Sequence, residues 1–293
     1  MAKTPNVPWT HEHLLIALNL YDKIPFGKFD QSNPVLIQVA EAMGRTPGSV
    51  AMKLSNLASL DERLAARGIK GLTGASALDR EVWADYREHS DARAVESEGL
   101  LSELLDPLSE MDWDVDPEQG MIRDVPHGPT ERTANVKVRL GQSYFRSVVL
   151  NAYGGHCALT GLGVRSLLVA SHIVPWVFPD LSVSRFEESL SLLTGKLGTG
   201  HRLDVRNGIA LNALHDRAFD QGYITFDTDL RMVCGRHLRK RFREEEIARN
   251  FKAFEGKALR VPAESDGPGE AYLAWHRVRI FEEGTRGETG TCD

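Results

Sequence analysis

Ala170-Ser171-His172-Ile173-Val174-Pro175-Trp176 and, further along, Asn207-Gly208-Ile209-Ala210-Leu211 running on to His215 are the stretches that decide the fold. The apolar run Leu167 to Ala170 suits a short strand that ends on His172. From about Leu211 the pattern turns helical, with His215 near the start of that helix. Two histidines and an asparagine thus come in the order His, Asn, His, the first after a strand and the last on a helix. Imidazole, with an ordinary pKa of roughly 6.5, is the side chain suited to taking a proton near neutrality. A second imidazole beside it can hold a divalent cation. The bland alternative for Asn207-Gly208 is a hairpin turn at positive φ, with no chemistry.

With its flanks, this pattern resembles the HNH nucleases, whose finger is two strands and a helix around a metal (ββα-metal). His215-Asp216-Arg217-Ala218-Phe219-Asp220-Gln221-Gly222 resembles the McrA-like, restriction-endonuclease branch of that family. The resemblance implies that His172 is the general base, that Asn207 orients the loop carrying it, and that His215 binds the metal. The residue before the base is commonly an Asp or His ligand; here it is Ser171, a weak one. Asp220 is either a further carboxylate near the metal or the end of the helix before Gly222. Arg217 is a candidate phosphate clamp, since a guanidinium fork suits phosphate. The cation implied is Mg²⁺, with Mn²⁺ or Ni²⁺ as alternatives. The other eight of the ten histidines, His201 among them, receive no role.

The family's zinc knuckles are missing. Cys157 stands where one would begin, but Thr160-Gly161 follows where a second cysteine belongs, so no structural zinc is expected. Cys157, Cys234 and Cys292 are too scattered for a disulfide framework. At 293 residues, 42% hydrophobic and 26% charged, the chain has the composition of a globular protein with one large domain or two ordinary ones. No apolar run spans a bilayer and Met1 to Trp9 lacks a signal-peptide core, so a cytoplasmic address without membrane contact is expected.

A net charge of −6 argues against a DNA partner until it is divided along the chain. Asp79 to Glu118 holds 14 acids and three arginines, which leaves +5 for the rest. Arg231, Arg236, Arg239, Lys240, Arg241 and Arg243 form a run of six bases without an acid. Such density suits phosphates, or equally a solvated helix face. Arg239, Lys240 and Arg241 are taken as DNA contacts.

Residues 9–88 read as a helical unit. Thr10 caps a helix carrying Leu14, Leu15, Leu18 and Tyr21, and Asn33-Pro34 opens a second with Val35, Leu36, Val39 and Met43. Gly44 stops it, Arg45-Thr46-Pro47-Gly48 is a tight turn, and Ser49 to Leu57 is a third helix. This outline is helix-turn-helix-like. It would present Ser49, Lys53, Ser55 and Asn56 to DNA, with Arg45 on a phosphate; a plain helical bundle is the alternative. Trp9-Thr10 and residues 45–57 also look like a domain found ahead of many HNH restriction nucleases.

The expectation is an α+β protein: a helical unit over 1–88, an acidic connector over 89–130, and an HNH domain over 131–293. Within the last, Gln142 to Ala152 reads as a helix, Tyr223 to Phe226 as a strand, and Gly195 to Gly200, the Gly-rich part of a long insertion over 178–206, as a surface loop along DNA. The resemblance implies a metal-dependent endonuclease of restriction type acting on double-stranded DNA as a homodimer, with dependence on modified bases left open. The competing class is a DNA-binding or regulatory protein with an inactive finger, which Ser171 keeps in play.

Overall fold

A computed structural model describes residues 8–105, 129–175, 201–262 and 265–281. The chain is α+β and divides into two compact units between Val148 and Val149. Trp176, residues 178–200 of the insertion, and residues 106–128 of the expected connector lie outside the described residues.

The first unit is helical. Its elements are α1 (His11–Lys23), α2 (Pro34–Ala42), α3 (Pro47–Ala58), α4 (Glu62–Ala66), α5 (Ala77–Glu88) and α6 (Ser90–Leu104). Several starts are set by a side-chain oxygen that satisfies an orphan amide. The Thr10 hydroxyl accepts from His13 N at 3.2 Å, Asn33 Oδ1 from Val35 N at 3.0 Å, and Thr46 Oγ1 from Ser49 N at 3.2 Å. Ser76 and Asp79 form a reciprocal capping box on α5. Gly44, at φ +64°, takes the left-handed position that ends α2. Leu14, Leu15, Leu18, Leu36, Val39, Leu54 and Leu57 meet in the core, each fully buried.

The acidic segment after residue 88 is not a connector throughout, because α6 packs along α1 and buries Ala94, Ser97, Glu98 and Leu101. Its charge is partly absorbed internally. Lys23 meets Glu98 at 2.5 Å with both side chains buried, and Asn19 donates to Ser97 and Glu98. Burial outweighs the carboxylate and pulls the Lys23 ammonium below its usual range. A long helix, α7 (Pro129–Ala152), includes the expected span 142–152 and buries Phe145, Val148 and Val149.

The second unit holds two small antiparallel sheets. β1 (Leu168–His172) pairs with β2 (Gly208–Asn212) from Leu168 opposite Asn212 to His172 opposite Gly208. α8 (Ala213–Asp220) follows directly and packs on both strands, completing a ββα unit. Gly222, at φ +70°, closes α8, with its amide on the Phe219 carbonyl and that of Tyr223 on Ala218. A Cβ at Gly222 would come within 2.5 Å of the Ile280 carbonyl, so the chain can turn only at a glycine here. β3 (Ile224–Phe226) then pairs with β4 (Met232–Cys234), and α9 (Arg236–Lys240), α10 (Glu245–Asn250) and α11 (Glu270–His276) follow.

His276 lies inside this core. Its ring stacks on Phe219 with centroids 3.7 Å apart, Nε2 donates to the Phe219 carbonyl at 3.1 Å, and Nδ1 is 3.0 Å from Thr225 Oγ1. Burial, opposed by the carbonyl it bonds, pulls its pKa down to about 3. Between that value and the unfolded value the unfolded chain binds the extra proton. The His276 contribution is therefore complete above about pH 6.5 and declines as pH falls. As pH drops from 6.5 to 5, the loss of stability in wild type should outpace that in His276→Gln, the difference approaching about 1.4 kcal/mol per pH unit, a slope of one proton. Urea midpoints at stepped pH check this; parallel slopes for the two proteins would contradict it.

Candidate active site

Ser171 and His172 are the last two residues of β1, and successive strand residues alternate in direction. Ser171 turns towards α8, while His172, at the strand end, turns to the backbone around Arg202. His172 Nε2 lies 3.0 Å from the Arg202 carbonyl oxygen. A carbonyl only accepts, so Nε2 carries the hydrogen and the neutral ring keeps its lone pair on Nδ1. Burial lowers the His172 pKa to about 4, against the pull of that carbonyl and with a further push from neighbouring His201. The ring is therefore neutral near pH 7.

Asn207 is fully buried and makes three side-chain bonds. Its Oδ1 accepts from Val174 N at 2.8 Å, and its Nδ2 donates to the carbonyls of Val174 (3.1 Å) and His201 (2.9 Å). Ile173 N bonds the Asn207 carbonyl at 2.9 Å. The residues just after His172, those just before Arg202 and the head of β2 are held together by this one amide. Gly208 has φ −128°, extended backbone, and Asn207 is not at positive φ. The hairpin-turn alternative does not describe this segment.

His215 lies near the start of α8, as the sequence places it. Asn212 Oδ1, at the cap of α8, accepts from His215 N at 2.9 Å and lies 2.9 Å from the ring's Nδ1, while Nε2 lies 2.8 Å from the Asn250 carbonyl. Phe251 and Phe254 stand edge-on to the ring, with centroids 5.5 Å away. Both nitrogens face protein oxygens, and burial lowers the pKa. In this arrangement the ring braces α8 against the segment after α10.

α8 also carries carboxylates. Asp216 and Asp220 are one turn apart on the same helix face. Ser171 Oγ, in a residue 2% exposed, lies near the Asp216 carboxylate without the geometry of a full hydrogen bond. Burial raises the Asp216 pKa, against Ser171 and Arg217. Asp220 keeps an edge open to solvent, yet the protein around its carboxyl and then the Asp216 charge push it up to about 7, with Arg217 opposing. Among the described residues no three His, Cys, Asp or Glu side chains converge as a metal cluster. The donor set here is two carboxylates and a hydroxyl, oxygens suited to a hard cation that keeps several waters. Their mutual repulsion and desolvation are what a divalent ion would relieve, so these residues fit such an ion.

Sequence reasoning passed over Asp216 and His201. The signal for Asp216 was available, since its spacing to Asp220 puts both on one helical face. Nothing local marks His201, 2% exposed, because its place depends on the tertiary bond from Asn207.

Residues 157–227 match the sequence model of the HNH endonuclease family. This segment is similar to the HNH endonuclease domain. No curated protein matches the chain. The match spans β1, β2, α8 and β3, and contains Ser171, His172, His201, Asn207, His215, Asp216 and Asp220. HNH nucleases typically use a divalent metal, and the implied substrate is DNA. Among the described residues no helix is long and apolar enough to cross a membrane.

The residues expected on DNA divide into two groups. Arg45 lies 4.0 Å over the Trp9 ring and donates to the Pro8 carbonyl. Lys53 is buried, bonds both Asp79 oxygens at 2.8 and 2.9 Å, and also faces Trp9. Asn56 is half-buried against Gly74, where a Cβ would come within 3.0 Å of Asn56 Oδ1. In the second unit Arg239 pairs with Glu255 and Arg241 with Glu244 at the surface, and Arg217 and Lys240 are exposed as well. Breaking a buried pair leaves one uncompensated charge. Lys53→Ala should therefore cost about 3–5 kcal/mol of stability while leaving the salt dependence of DNA binding unchanged. Urea unfolding and DNA titration across salt measure the two, and a weakened slope with intact stability would return Lys53 to the DNA surface.

Proposed function

We propose that this chain is a metal-dependent endonuclease of restriction type that hydrolyses phosphodiester bonds in double-stranded DNA through His172, Asn207 and the oxygens of α8. The observation that carries this reading is the His172 tautomer: a neutral ring, its hydrogen fixed on Nε2 by the Arg202 carbonyl, next in the chain to Ser171 and its neighbouring Asp216–Asp220 pair.

His172 Nδ1 accepts a proton from water as its oxygen bonds to phosphorus. The P–O3′ bond opposite breaks, leaving a 5′ phosphate and, after protonation by solvent, a 3′ hydroxyl. Asn207 keeps the carbonyl beside His172 in place by fixing both loops around it. A divalent cation (Mg²⁺, or Mn²⁺ or Ni²⁺), held by Asp216 and Asp220 with the Ser171 hydroxyl, would neutralise charge developing on the phosphoryl group and the leaving oxygen. His215, assigned to the metal on sequence grounds, serves in this scheme to anchor α8 through Asn250. Arg217 is next to the carboxylates and exposed, a position from which a guanidinium can meet a neighbouring phosphate. Cutting both strands calls for two such sites, which a homodimer would supply.

Nicking of supercoiled plasmid with Mg²⁺, Mn²⁺ or Ni²⁺ tests this. His172→Ala should lose about 10²- to 10⁴-fold in rate, the usual worth of a general base. Asp216→Asn should suffer a comparable loss and His215→Gln a smaller one. Cleavage by His172→Ala at the wild-type rate would remove the base. A wild-type protein that binds DNA and never cuts it under these ions would instead mark an inactive finger.

A further inference from the structure

The run Arg231 to Arg243 looks uniform in sequence but the fold sorts its cations into two kinds. Arg231 donates to the Gly256 carbonyl, Arg239 bonds Glu255 through Nε at 2.8 Å, and Arg241 grips Glu244 at 2.8 and 2.9 Å. Glu244 follows the run directly, whereas Glu255 is brought to Arg239 from 16 residues along the chain. Arg236, Lys240 and Arg243 are exposed and have no acidic partner among the described residues.

Those three belong to one face. Arg236 and Lys240 are one turn apart on α9, about 6 Å along its axis. The backbone keeps turning beyond the helix through Arg241 N on Leu238 O and Phe242 N on Arg239 O, which brings Arg243 around to the same side. Buried Leu238 anchors the opposite side of α9 to the core. Three neighbouring cations with no ion-pair partner among the described residues repel one another, and an external polyanion removes that cost. The face is tied to the site region, because Gly235 N, at the head of α9, bonds the Tyr223 carbonyl three residues beyond Asp220.

We infer that Arg236, Lys240 and Arg243 form a sequence-independent docking face for the phosphate backbone of duplex DNA, while Arg239 and Arg241 act within the fold. This rests on the nuclease reading for its choice of polyanion. The test is titration of the full chain, in EDTA to prevent cutting, with a fluorescent duplex over a range of salt. The triple variant Arg236→Ala/Lys240→Ala/Arg243→Ala should flatten the slope of log K against log salt by up to about 2.7, at roughly 0.9 for each phosphate no longer engaged. Arg236→Lys/Arg243→Lys keeps the charge and should keep the slope. Arg239→Gln/Glu255→Gln removes a matched pair and should also leave it unchanged. A triple variant with the wild-type slope, or a matched-pair variant that flattens it equally, overturns the proposal. Equal flattening against single-stranded RNA with no preference for duplex would overturn it too, and assign the face to another partner. Plasmid cleavage by the same triple variant separates this proposal from the nuclease reading. An unaltered binding slope with wild-type cutting removes the face and leaves the nuclease standing.

Discussion

One buried amide holds the second unit's chemistry in place. Asn207 bonds Val174 twice and His201 once, so residues separate in sequence are fixed around His172. Each of these bonds replaces water at a buried polar group, where an unmet partner costs about 1–3 kcal/mol. The Arg202 carbonyl then reaches His172 Nε2 because its own neighbour, His201, is clamped. Tautomer and ring orientation descend from that clamp, while burial lowers the pKa against the pull of the carbonyl. An exposed loop carrying Arg202 would leave the imidazole free to rotate and to pick up a proton in water.

The finger's architecture was legible because hydrophobic runs and turn residues are local signals. Leu167 to Ala170 reads as a strand, Gly222 as a helix end and Pro34 as a helix start, and in each case neighbouring backbone chemistry decides, whereas the third helix begins at Pro47, inside the expected turn. Partner choice was not legible. Lys53 looks like a surface cation in any window, yet Asp79, which caps its own helix with Ser76, reaches across to neutralise it. Arg239 and Arg241 look like DNA contacts until Glu255 and Glu244 fold against them. His215 sits at the expected place on the expected helix, but only the tertiary approach of Asn250 decides where its Nε2 points.

The first unit shows the same principle on a larger scale. Many of its acids and bases are spent on one another: Lys23 on Glu98, Arg87 on Asp22, Lys53 on Asp79. Tyr144 adds its hydroxyl to Asp22 at 2.7 Å, and Trp9 is covered by Arg45 and Lys53. Replacing such a buried pair with well-packed apolar groups is often neutral, so its weight lies in the damage done when one partner goes. The helical outline over 34–58 matches a helix-turn-helix in element order, but Arg45 and Lys53, the cations that would meet phosphate from it, are turned to partners within the unit.

The central proposal is that oxygens of α8 and β1, and not the His215 ring, hold the catalytic cation. Crystals of the full chain soaked in Mn²⁺ and measured for anomalous scattering address it directly. The expected peak lies about 2.0–2.2 Å from an Asp216 carboxylate oxygen, within reach of Asp220 and Ser171, with His215 still on the Asn250 carbonyl. An ion bound to His215 Nε2, with that bond to Asn250 broken, would contradict it.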